Sequence, residues 1–156
     1  DLEEAESEAS EDVVQAREES LAKELAAMKH RKRKLVDPLQ FEMSIQAEDL
    51  TTYVPAFGWE SAPASDKQLQ ALEKLGIFPD QIENAGYASK LLERLDMRRI
   101  EGLTTPKQIR FLEGKGFQHV GTWQFDSARV LIDRIAGNDW RVPGDINPYT
   151  YNIKEA

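Results

Sequence analysis

Two histidines, 28 acidic side chains and no cysteine bound the chemistry open to this chain. His30 and His119 stand alone, with no H-E-x-x-H pair and no carboxylate–histidine cluster, so the spacing offers no metal site. Glu113-Gly114-Lys115-Gly116 lacks both the spacing and the hydroxyl of a GxxxxGK[ST] phosphate loop. The serines have no nucleophile-elbow context. Paired acids such as Asp80 and Glu83 read as solvated loop residues. No catalytic residue, metal ligand or bound cofactor is expected, and the chemistry left is that of cations. Lys67 and Lys107 fall in the first turn of two expected helices, beside backbone N–H groups that favour anions. Arg110 and Lys115 extend that side, Arg94, Arg98 and Arg99 cluster further on, and Arg31, Lys32, Arg33 and Lys34 form a basic run. Such groups grip phosphates without reading sequence and release counterions in doing so. A plainer reading stands beside it: the arginines pair with Glu93, Asp96, Glu113 and Asp133, and the basic run complements a helix C-terminus.

The cations ride on a repeated frame. Shifting the chain by 40 residues brings Lys67, Gln68, Leu72, Glu73, Gly76, Ala88, Leu91 and Arg94 onto Lys107, Gln108, Leu112, Glu113, Gly116, Ala128, Leu131 and Arg134. Chance gives only about one or two identities over such a window, so an internal duplication is read. In each unit Ser65 or Thr105 caps a helix and Gln68 or Gln108 reaches back to the cap. Leu69, Leu72 and Leu75, and then Ile109, Phe111 and Leu112, form the apolar faces. Gly76 and Gly116 end the helices in a left-handed residue, and Ile77 and Phe117 fold back onto the last turn. Second helices follow, with Ala88, Leu91, Leu92 and Leu95 on one face and Ala128, Leu131, Ile132 and Ile135 on the other. Each hairpin of about 30 residues is too small to bury a core alone. The expectation is all-α: two tandem helix hairpins forming a small four-helix domain, preceded by a long N-terminal helix.

Four segments are expected. Residues 1–36 read as an acidic-to-basic helix, its start either disordered or solvated. Val14, Leu21, Met28 and Leu35 recur every seven residues with Leu25 beside them, a short heptad. Residues 37–64 hold a helix capped by Asp37, with Pro38 at its first position, running to about Ala47. Leu39, Phe41, Met43 and Ile45 alternate as a strand would, but the cap is the firmer signal. Tyr53, Phe57 and Trp59 then punctuate an aromatic linker; they would stack on bases or strap across a hydrophobic groove. Residues 65–143 are the duplicated domain, with Arg98–Thr104 as the connection and Trp123 in the core. Residues 144–156 are a Pro/Tyr tail. The net charge of −8 argues against a uniformly basic nucleic-acid module, although 65–143 is near balance. No apolar run is long enough to span a bilayer. The acidic start is the wrong sign for a signal peptide, and the lack of cysteine suits the cytoplasm. A first residue other than Met reads as a fragment or a processed chain.

Lys32-Arg33-Lys34-Leu35-Val36-Asp37-Pro38-Leu39, Tyr53-Val54-Pro55 and Phe57-Gly58-Trp59-Glu60 together resemble the C-terminal region of bacterial DEAD/DEAH-box (superfamily 2) helicases carried by phages and mobile elements. Ser65-Asp66-Lys67-Gln68, Ala85-Gly86-Tyr87-Ala88-Ser89, Gly102-Leu103-Thr104-Thr105-Pro106-Lys107-Gln108-Ile109, Val120-Gly121-Thr122-Trp123 and Trp140-Arg141-Val142-Pro143 extend the likeness over about Arg31 to Tyr151. Gln124 departs from it, where a small capping residue is expected. The resemblance implies that ATP and Mg chemistry belongs to upstream helicase domains in a bacterial cytoplasm, and that this piece is a non-catalytic tail. Two roles follow: non-specific contact with a DNA backbone, or docking onto a protein partner or the helicase core.

Overall fold

The computed structural model describes the backbone of residues 2–153 and the side chains of residues 10–153. Among these it is all-α, with eight helices, one 3-10 turn and no strand. The chain divides into two compact units, Asp1–Arg33 and Lys34–Ala156. The first is carried by α1 (Leu2–Lys34), a single helix of 33 residues. Its backbone is helical from Leu2, and the side chains of the first nine residues lie outside the described ones.

The second unit contains α2 (Pro38–Ser44), α3 (Glu48–Thr51), α4 (Gly58–Ser61), α5 (Asp66–Lys74), α6 (Ala85–Glu101), α7 (Pro106–Gly114) and α8 (Phe125–Ala136), with a 3-10 turn at Val120–Thr122. Local chemistry sets the boundaries of the two hairpins in the same way. Ser65 and Thr105 accept from the N–H groups of Gln68 and Gln108, and each glutamine accepts from the cap N–H in return. The glutamine amides then donate across the hairpin to the carbonyls of Ala85 and Phe125. Ala64 N–H donates to Glu83 and Ala85 N–H to Ala62; the bonds from Thr104 to Trp123 and from Phe125 to Gly102 repeat this 40 residues on. Gly76 and Gly116 sit at φ 100° and 101°, and Ile77 and Phe117 return their N–H groups to Leu72 and Leu112. Both helices thus end on a glycine whose following apolar residue folds back into the core.

The core is wider than four helices. Leu72, Ile77, Leu91, Ile109, Leu112, Phe117 and Ile135 are joined by Val36, from the end of the segment expected as the N-terminal helix, and by Phe41, Ala47 and Leu50 from residues 37–64. Val36 pairs with the turn after α5, accepting from Phe78 and donating to Gly76. Trp123 is buried and meets Phe117 edge-on at 5.9 Å. The tail is held by Tyr151, which packs against both rings, while Tyr149 stays exposed.

Three expectations need correction. The helix from Asp37 does not reach Ala47: it ends at Ser44, because Gln46 turns left-handed at φ 59° and Ala47 N–H bonds back to Glu42. Leu75 does not complete an apolar face; as the capping residue of α5 it is 44 % exposed. Arg98–Thr104 is not a connection either, because α6 continues through Glu101 and only Gly102 turns left-handed, at φ 72°. At α8 Gln124, in place of the small capping residue expected there, makes no side-chain cap.

A Cβ on Gly76 would sit 3.0 Å from the Lys107 side chain in a backbone region L-residues avoid, whereas one on Gly114 meets nothing within 4 Å. Gly76→Ala is therefore expected to lower unfolding free energy by about 1–2 kcal/mol. Gly114→Ala, inside α7, is expected to raise it by up to about 1 kcal/mol. Urea titrations of the two variants check both signs.

Candidate nucleic-acid interface

The seven cations expected on the repeat domain do not form one surface. Lys67 and Lys107 are exposed at the second position of α5 and α7. The stem of Lys107 lies over Gly76, which anchors it while leaving its head to solvent. Arg110 is half-buried one turn along α7. Lys115 donates to the Trp140 carbonyl at 2.9 Å and stands 5.7 Å from the Phe111 ring, so it closes the second hairpin. Arg94 is paired with Asp49 at 2.5 Å, and Arg99 with Asp96 at 2.9 Å. The carboxylates differ from those expected for Arg94, whose partner comes from α3 rather than from the repeat.

Arg98 is the clear correction. It is 6 % exposed, not a phosphate ligand on the surface. Its Nη2 donates to the Thr104 carbonyl at 3.1 Å, to Thr104 Oγ1 at 3.1 Å and to the Gly121 carbonyl at 2.9 Å. The guanidinium also stands 5.7 Å from the Phe41 ring. Burial, aided by the nearby charge of Arg94 and opposed by Glu101, lowers its pKa to about 10. It remains charged at neutral pH, and its charge is spent inside the protein.

Around it runs a polar knot that sequence reasoning missed. Thr104 Oγ1 donates to the Val120 carbonyl at 2.8 Å. Gly121 N–H donates to Ser44 Oγ, which donates in turn to Glu113. Glu113 also accepts from Gln40 and from Val120 N–H. Ser44, Thr104 and Glu113 carry no pattern that marks them, because their partners lie 69 or more residues away for Ser44 and on a separate turn for Thr104. Glu42 is a buried acid, accepting from Thr51 and from the Tyr87 hydroxyl. Burial raises its pKa above 4.5 despite the Thr51 bond, with Asp37 and Asp49 adding to the rise.

The aromatic segment divides by residue. Tyr53 packs against Tyr87 at 6.4 Å, with its hydroxyl over Gly86 and with Lys90 5.2 Å from its ring. Glu60 fastens the segment by accepting from Ala56 and Phe57 N–H groups, bonds that pull its carboxyl below the ordinary value. Phe57 and Trp59 are left 68 % and 59 % exposed, so Tyr53 and α4 do the strapping and the other two rings face outward. Arg31 is half-buried and Lys32, Arg33 and Lys34 are exposed in the last turn of α1. Arg99 lines a groove of about 510 Å³ together with Leu92, Leu95, Leu103 and Phe125.

Among the described residues no cluster of His, Asp or Glu is arranged to hold a metal, and no helix is long and apolar enough to cross a membrane. Comparison with protein-family models, curated proteins and solved structures yields no match.

Arg98→Ala would leave the Thr104 and Gly121 carbonyls unpaired in the interior. A loss of about 2–4 kcal/mol in unfolding free energy is expected, against under about 0.5 kcal/mol for exposed Arg99→Ala. Glu42 binds protons more tightly folded than unfolded, so stability falls as pH rises from 4.5 through its raised value and is flat above it. Unfolding free energies of wild type and Glu42→Gln, compared across that range, should differ by this slope, which the variant lacks.

Proposed function

We propose that the chain is a non-catalytic accessory module of an ATP-dependent DEAD/DEAH-type helicase, touching the DNA backbone without reading sequence. The observation that carries this is the pair Lys67 and Lys107, both exposed at the second position of helices with the same cap. Each adds a mobile charge to a helix N-terminus, the arrangement that suits a phosphate. Arg110 lies one turn from Lys107 and is the third contact. Arg98 is excluded from the interface, while Arg94, Arg99 and Lys115 contribute only at the cost of contacts they already make. The likeness of residues 31–151 to helicase tails supports the parent assignment, and ATP hydrolysis then belongs to other domains. The compact unit from Lys34 carries 18 acids and 14 bases, so binding rests on a local face rather than on overall charge.

A second reading has its own support. Phe57 and Trp59 are large, exposed and held on a segment fixed by Glu60, a combination typical of anchors for a protein partner.

Fluorescence anisotropy of the full chain with labelled single-stranded, duplex and forked DNA tests the first reading. Three phosphate contacts predict a log–log salt slope of roughly −2 to −3. Lys67→Glu with Lys107→Glu should weaken binding and flatten that slope by about 1 per lysine. Binding that is unchanged in this variant, or that does not vary with salt, overturns it. Capture of a protein partner in a pull-down that is insensitive to salt and lost when Phe57 and Trp59 are changed to Ser favours the second.

A further inference from the structure

The first unit poses a problem of its own. α1 runs for 33 residues, yet Val13, Val14, Leu21 and Leu25 are 62 %, 53 %, 52 % and 53 % exposed. A polar helix of this length with its few apolar side chains in water needs either many internal pairs or a partner. The apolar residues are not scattered: Val14, Leu21 and Met28 recur at seven, and Leu25 lies one turn from Leu21 and from Met28 on the same stripe. Charge along the helix is strongly polarised. Glu11, Asp12, Glu18 and Glu19 lie before Leu21, whereas Lys29, Arg31, Lys32, Arg33 and Lys34 lie after Leu25.

We propose that α1 pairs with α1 of a second copy of this chain, and that the two helices run antiparallel. Charge complementarity selects both the occupant and its direction. A parallel pair would set Glu11 and Asp12 against their own copies and Arg31–Lys34 against theirs, which like charges disfavour. An antiparallel pair centred between Leu21 and Leu25 stacks the two leucines of each chain against each other. It also lays Glu11 and Asp12 of each helix alongside Arg31–Lys34 of the other. The apolar seam is short, so the ionic ends carry much of the specificity and the association weakens as salt screens them. The pairing also competes with anything anionic that binds the basic run. This inference is independent of the DNA-binding reading, because it concerns the nucleic-acid-free protein and residues outside the repeat domain.

Sedimentation velocity of the full chain, with nucleic acid removed, gives the test over a concentration series at low and moderate salt. A monomer–dimer equilibrium that shifts toward monomer with salt is expected. Glu11→Lys with Asp12→Lys should raise the dissociation constant at least about tenfold, and adding Lys32→Glu and Arg33→Glu to the same chain should restore it. Leu21→Asn with Leu25→Asn should abolish pairing while the melting of the second unit stays unchanged. The natural sequence has no cysteine, so direction is read by mixing single-cysteine variants. Ser10→Cys with Lys34→Cys should cross-link faster than Ser10→Cys with itself. A chain that stays monomeric throughout, a dimer indifferent to the charge reversals, or preferential Ser10→Cys self-linking each overturns the proposal.

Discussion

The buried guanidinium of Arg98 is the interaction on which the second unit turns. It joins the end of α6 to Thr104 before α7 and to the turn at Gly121, and it faces Phe41 of α2. A charge taken out of water is tolerated only where its donors are answered. Here its Nη2 is answered by two main-chain carbonyls and a hydroxyl, which fixes where those three stretches must lie. Ser44 and Glu113 extend the same knot to α2 and α7, so the pieces before the hairpins and between them are positioned by one connected set of bonds. Gly121 makes room for it: a Cβ there would stand 2.5 Å from the Ser44 backbone.

This knot explains why the surface available for binding is smaller than the count of cations suggests. Arg98 is consumed by the fold, and Arg94 helps to tie α6 to Asp49 of α3. Lys115 closes the second hairpin on Trp140. Lys67 and Lys107 escape because they sit in first turns whose caps are made by other residues, Ser65 with Gln68 and Thr105 with Gln108. In the proposed reading their charged heads are therefore the ones left for a phosphate. Phe57 and Trp59 are spare in the same sense, since Tyr53 and Glu60 hold their segment in place.

The two units also divide two kinds of stability. Lys34–Ala156 owes its order to an apolar core with a buried polar knot, where loss of one partner leaves the other unsatisfied. In α1 the order is that of a long helix with water on most faces, which gains little from burial within its own chain. In the pairing proposed for α1, the basic turn Arg31 to Lys34 meets the acidic half of another α1.

Whatever depends on neighbours in sequence was legible without the fold. The caps at Ser65 and Thr105, the glycine stops, the apolar periodicity of α6 and α8 and the all-α class all arise from contacts within a turn or two. The glutamine bonds to Ala85 and Phe125 follow the same 40-residue offset as the residues that make them. Whatever depends on distant partners was not. No local pattern tells Arg98 from Arg99, yet one is 6 % exposed and the other lies in solvent, because successive residues of a helix face about 100° apart and only one turns toward Gly121. The break after Ser44, the recruitment of Val36 and Phe41 into the core and the outward turn of Phe57 and Trp59 were likewise decided by tertiary packing. Sequence determined the helical class, the capped starts of α5 and α7 and the glycines that follow them. Only the assembled core decided which of their polar and aromatic side chains remain free to act.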